Sequence, residues 1–166
     1  MSTENYIVIN GKRAELTEEQ LKQLGIEVNK HPFERQPKNQ PFYFITNKAK
    51  VEYGVEVCDF HCNGLFEVAN YCTDKGTMEQ RALHETLSRL LWRYSMEHNG
   101  DKIDWSNRDS KKYFIYYNNC SHKYGVDSRY DYNFMTNVFF YEYEIAESAI
   151  KEIVEPFMKE HPKFKW

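Results

Sequence analysis

The densest group of reactive side chains is Cys58-Asp59-Phe60-His61-Cys62, with Cys72 ten residues on and Cys120-Ser121-His122 further along. Zinc takes four ligands in tetrahedral array, and structural sites usually offer them as closely spaced Cys or His pairs. Cys58 and Cys62 meet that spacing, and His61 adds a nitrogen donor. On a strand the two thiols would share a face but stand about 13 Å apart, so joint ligation would need a turn between them. Thiols packed as small apolar groups are therefore the expectation, with no metal or other cofactor.

Other chemistry-bearing patterns fall short. His84-Glu85 opens like the helix of a zinc protease, yet position 88 is Ser where the second His would have to stand. Neither a nucleophile elbow, a P-loop nor a dinucleotide fingerprint occurs, and only seven glycines are present. No catalytic residue is assigned, and an enzyme is disfavoured. Carboxylates gather as Asp101, Asp104 and Asp109, and again as Glu142, Glu144, Glu147, Glu152 and Glu155. Such groups can supply an acid–base pair or imitate a phosphate backbone, but charge on an exposed helix face is usually solvation. A mimic of nucleic acid would also carry more than a net charge of -3. Of the tryptophans Trp92, Trp105 and Trp166, the first two are expected to pack. The binding candidates are Asp101, Asp104, Trp105 and Asp109, with the tyrosines Tyr130 and Tyr132.

These side chains must be positioned by the elements around them. Asn10-Gly11 between two short apolar runs predicts a hairpin with a type I′ turn. Thr17 with Gln20 predicts a capping box opening a two-turn helix that carries Leu21 and Leu24 and closes at Gly25. Pro32, Pro37 and Pro41 then punctuate a connector.

Beyond Pro41 the chain repeats itself. Tyr43-Phe44-Ile45 matches Tyr113-Phe114-Ile115 at an offset of 70 residues, and Tyr53-Gly54-Val55 matches Tyr124-Gly125-Val126. Each pair of runs predicts a hairpin, followed by a third strand at 65–71 and 134–140, with Asn70 and Asn137 in comparable places. An amphipathic helix closes each unit. The first is predicted over 77–97 from Met78, Ala82, Leu83, Leu87, Leu90, Leu91 and Tyr94, and ends at Asn99-Gly100. The second is predicted over 144–158 from Ile145, Ala149, Ile150, Ile153 and Phe157, with Pro156 kinking or ending it near Glu155.

The fold class is thus α+β. Two strand-strand-strand-helix units, 42–100 and 101–166, form antiparallel sheet packed by helices, after an N-terminal hairpin, short helix and connector over 1–41. At 166 residues one domain is expected. Aromatic content of 16%, with thirteen Tyr and eleven Phe, fits an aromatic-rich sheet better than a base-stacking platform. The net charge disfavours nucleic acid as a general partner. No apolar run approaches the ~20 residues of a membrane helix. The N-terminus lacks a signal pattern, and four irregularly spaced cysteines make no disulfide framework, so a cytoplasmic protein is expected.

The stretch from Asn70-Tyr71-Cys72-Thr73-Asp74-Lys75-Gly76 through Trp92-Arg93-Tyr94-Ser95-Met96 to Asp104-Trp105 resembles a family of small phage and prophage proteins of Clostridia and related Firmicutes. Lys112 to Tyr117, the helix entry from Phe139 to Ile150, the opening YIVINGKRAELTEEQLKQLGIEV and His31-Pro32-Phe33-Glu34-Arg35 are similar to the same proteins. That resemblance implies a phage accessory product in the host bacterial cytoplasm. By analogy it implies binding to a host defence protein such as a Cas nuclease, in the manner of an anti-CRISPR, without assigning catalytic residues. A nucleic-acid or nucleotide-binding accessory protein using an aromatic sheet face is the alternative.

Overall fold

Residues 6–9, 12–24, 31–130 and 138–165 are described by a computed structural model, which is α+β with antiparallel strand pairs. The first hairpin pairs β1 (Tyr6–Ile9) with β2 (Lys12–Glu15), Ile9 facing Lys12. The predicted Asn10-Gly11 turn and Gly25 lie outside the described residues. Thr17 and Gln20 close the expected box at the start of α1 (Glu18–Gln23): the Thr17 amide donates to Gln20 Oε1 at 2.9 Å, and the Gln20 amide to Thr17 Oγ1 at 3.3 Å. Leu21 is buried there, whereas Leu24 is exposed.

Each repeated unit has its hairpin. β3 (Pro41–Ile45) pairs with β4 (Val51–Val55), and β5 (Lys112–Asn118) with β6 (Lys123–Arg129). The first of the predicted third strands does not form. Residues 65–67 instead end a helix, α2 (Phe60–Glu67), and 68–69 turn out of it, because Asp59 caps the helix by accepting from the Cys62 amide at 2.8 Å. Its apolar residues Cys62 and Leu65 then fall on one helical face, against Phe42 and Phe44. Just past it one antiparallel bridge joins Tyr43 to Cys72, and among the described residues of the second unit a like bridge joins Tyr113 to Phe140. Residues 134–137, including Asn137, lie outside the described set.

The two bridges place their residues alike at the level of alternating side chains. Cys72 and Phe140 are fully buried under the unit helices, while Tyr71 and Phe139 point to the opposite face of their hairpins. Asn70 extends the first bridge with its side chain, its Oδ1 accepting from the Ile45 amide at 2.8 Å and its Nδ2 donating to the Ile45 carbonyl at 2.7 Å. Asn99 braces the second: its Nδ2 donates to the Phe139 carbonyl at 2.9 Å and its Oδ1 accepts from the Tyr141 amide at 2.9 Å.

The long helix α3 (Lys75–Asn99) starts two residues before its predicted position because Asp74 accepts from the Thr77 amide at 2.7 Å. It stops where Asn99-Gly100 predicts, Gly100 adopting φ 54. Met78 and Ala82 of its first half pack on Ile45 and Cys72, and Leu87, Leu91 and Tyr94 of its second half pack on Phe140, Ala146, Val154 and Phe157. One helix, about 37 Å long, therefore serves both hairpins.

Pro156 does not end the last helix. α4 (Tyr143–Ala149) widens to a π-helical turn over Ile150–Val154 and continues as α5 (Glu155–Glu160). A proline has no N–H to give and its ring crowds the carbonyl four residues back, and the wider turn relieves both conditions. The extra residue also shifts the helical phase, so that Ala149 and Val154, five apart, are both wholly buried.

The end of α2 holds an alanine where glycine is favoured. Ala69 has φ 56, its amide reaches the Phe66 carbonyl at 3.0 Å, and the Asn70 amide reaches that of Leu65 at 2.8 Å, which is a Schellman closure. Replacing Ala69 with Gly is expected to raise the unfolding free energy in urea by about 0.5–1 kcal/mol, since glycine removes the left-handed penalty and returns part of it through unfolded-state entropy. A loss of stability would contradict this reading of the helix end.

Candidate binding surface

The hairpins have two faces, and each outer face carries a cover. In the first unit the cover is α2, lying on Phe42 and Phe44 together with Tyr71, which stacks on Phe42 with ring centroids 4.1 Å apart. In the second unit the linker after α3 does the same work. Trp105 meets Phe139 edge-on at 5.2 Å, and Phe139 meets Phe114 at 6.0 Å. The 58–62 segment and the 101–109 linker, which differ most between the units in sequence, are thus two solutions to one packing problem.

Each cover is pinned by a buried charge. Glu56, just past β4, has no exposed surface; its carboxylate accepts from Arg35 at 3.1 and 3.2 Å, from the Tyr71 hydroxyl at 3.0 Å and from the Cys58 amide at 2.7 Å. The Gln36 amide donates in turn to the Tyr71 oxygen at 3.1 Å, so the proline-punctuated connector is tied to the first unit. The Arg35 guanidinium, against the effect of burial and with the help of the Cys58 amide and Tyr71, holds the Glu56 carboxyl down to about 2. Burial, with the Glu56 charge beside it, pushes the Tyr71 hydroxyl up to about 12. Tyr71 therefore stays a proton donor at every ordinary pH. In the second unit Lys112 is buried, and its Nζ donates to the carbonyls of Ser110 at 2.9 Å, Asn107 at 3.1 Å and Tyr130 at 3.4 Å, while lying 5.5 Å from the Trp105 ring centre.

The sequence candidates sort accordingly. Asp104, Trp105 and Tyr130 gather around Lys112. Asp104 Oδ1 accepts from the Ser106 amide and hydroxyl at 2.8 and 2.6 Å, and these bonds hold its carboxyl below the usual range. Tyr130 presents its ring to Lys111. Asp101 and Asp109 are exposed on the same linker, and Tyr132 and Trp166 lie outside the described residues. Cys58, His61 and Cys62 do not converge. Cys58 is exposed at φ 61, His61 is exposed with its ring edge-on to Phe44, and Cys62 is buried in α2, where burial pushes its thiol up. Among the described residues no three His, Cys, Asp or Glu side chains are grouped to hold a metal. His84 is exposed on α3. No helix among the described residues is long and apolar enough to cross a membrane.

Trp92 departs from expectation. It lies 61% exposed, one residue past the buried Leu91 and so roughly 100° around the helix from the core stripe. Beside it runs a groove of about 390 Å³ lined by Ala49, Thr86, Arg89, Leu90, Trp92 and Arg93. Met96, one turn on, is also exposed. The helical phase of Trp92 was the signal for this surface, whereas nothing in the sequence marked Glu56 or Lys112 as buried. Phe60, opening α2, and Val68, capping its end, are also exposed.

No protein-family model, curated protein sequence or solved structure matches the chain.

Because the folded Glu56 carboxyl is more acidic than an ordinary one at 4.5, its contribution to stability is complete above that value and is lost as pH falls toward about 2. Glu56→Gln is expected to cost about 1.5–3 kcal/mol at neutral pH, the range for hydrogen bonds to a charged group. It should also flatten stability against pH between 4.5 and 2. Denaturant titrations of both proteins across that window check it, and parallel pH profiles would contradict the assignment.

Proposed function

We propose that this chain is a non-catalytic binding protein that acts by covering the surface of another protein. With the phage resemblance added, its target is a component of a bacterial defence system such as a Cas nuclease, met in the host cytoplasm. The observation that supports this reading best is the division between interior and surface. The buried ionisable groups are satisfied by one another and by backbone, with no buried side-chain nitrogen or oxygen unpaired among the described residues, so the interior is held as packing. Large apolar side chains are nevertheless held out in water on the rigid helix α3.

The nucleic-acid alternative draws less support. Phe42, Phe44, Tyr43, Tyr113 and Phe114 are half-buried or buried in the hairpin packing, and the exposed strand rings Tyr53 and Tyr116 belong to different hairpins, so no row of open aromatic faces is offered to successive bases among the described residues.

Mixed with the defence nucleases of a natural host, the protein is expected to co-elute with one of them on size exclusion. It should inhibit that nuclease in proportion to the amount added, with no turnover. Inhibition at amounts far below the nuclease concentration would point to catalysis instead. Failure to bind any defence component would remove the proposed target.

A further inference from the structure

We infer that the α3 groove around Trp92 is the docking surface, and that its occupant is an acidic protein segment bearing an apolar anchor; this rests on the binding-protein reading above. Arg89, Trp92, Arg93 and Met96 recur at spacings of three, four and seven, which places them on one side of α3. All four are exposed. Across the groove stands Ala49, in the β3–β4 turn, where its φ of 58 turns a methyl-bearing residue through a conformation that glycine would enter more easily. Ala49 and Leu90 thus give the groove apolar walls, and Trp92 offers the large, stiff side chain that most often anchors a protein contact.

Charge decides what fits. Arg81 and Arg89 share one carboxylate, Glu85, at 2.9 and 3.1 Å, and Arg93 has no ion pair among the described residues. The rim is therefore locally cationic on a chain whose net charge is -3. A partner that supplies one or two carboxylates and a leucine or aromatic side chain completes it. A polyphosphate would meet few free cations and would face Glu85, and Glu97 one turn beyond Arg93, so a nucleic acid is the poorer match. Burying a tryptophan against an apolar anchor, with carboxylates reaching the arginines, uses each feature of the surface.

Fluorescence anisotropy of a labelled peptide carrying two leucines among glutamates, measured with the full chain, tests this directly. The acidic peptide is expected to bind, its glutamine counterpart at least about tenfold more weakly, and Trp92→Ala and Arg93→Glu each to weaken binding by about tenfold or more, as hot-spot residues do. Equal binding of the glutamine peptide, no binding of the acidic one, or tighter binding of oligo-dT would overturn the inference. Circular dichroism melts of the two variants separate loss of fold from loss of contact, because both positions are exposed. If the variants still co-elute with and inhibit the nuclease target as the parent protein does, the groove is not the docking surface while the binding-protein reading stands. If the parent protein itself binds no target, that reading fails, whatever the peptide does.

Discussion

Two isolated backbone bridges fix everything else. Tyr43 and Cys72 exchange hydrogen bonds of 2.7 and 2.9 Å, and Tyr113 and Phe140 exchange bonds of 2.9 and 2.8 Å. Each bridge ties the residue just ahead of a unit helix to the first strand of its hairpin. Because side chains alternate along an extended chain, the pairing commits Cys72 and Phe140 to the helix side and Tyr71 and Phe139 to the other. A slip of one residue would exchange a fully buried Cys72 for Tyr71 and break both faces at once. The asparagines at 70 and 99 guard against it, since each holds backbone groups beside its bridge.

From that constraint the asymmetry of the molecule follows. Two-stranded hairpins are too small to stand alone, so both of their faces need cover. The inner faces share α3, which accounts for its length. The outer faces are covered differently, by α2 over the first hairpin and by the Trp105 linker over the second, and each cover is held by a charged side chain drawn inward. Glu56 is neutralised by Arg35, whereas Lys112 is held by carbonyl oxygens. Both arrangements leave the outer side of α3 free, and it is this side that carries Trp92.

Much of the architecture was legible in residue spacing. The capping box at Thr17, the 70-residue offset between the hairpins, the stripe of α3 and its stop at Asn99-Gly100 are local signals, and local hydrogen bonds decide them. The failures came where tertiary packing overruled a local preference. Leu65, Phe66 and Val68 read as strand until Asp59 caps a helix beneath them, and Pro156, expected to kink or end its helix, does not end it because a wider turn just before it accommodates the ring. The linker that carries the binding candidates Asp101, Asp104, Trp105 and Asp109 also packs over the second hairpin beside the buried Lys112, a contact no local signal marks. Burial of Glu56 depends on Arg35, 21 residues away in a connector that carries no periodic signal.

Because α3 packs on both hairpins, the two units are expected to unfold as a single cooperative core. Native-state hydrogen exchange under increasing denaturant tests it at the α3 amides of Ala82 and Leu91, which pack on the first and second hairpins, and at the bridge amides of Cys72 and Phe140. The account predicts that all four exchange through the same global opening, with one free energy and one dependence on denaturant. Opening of Ala82 and Cys72 at a distinctly lower free energy than Leu91 and Phe140, or the reverse, would contradict it.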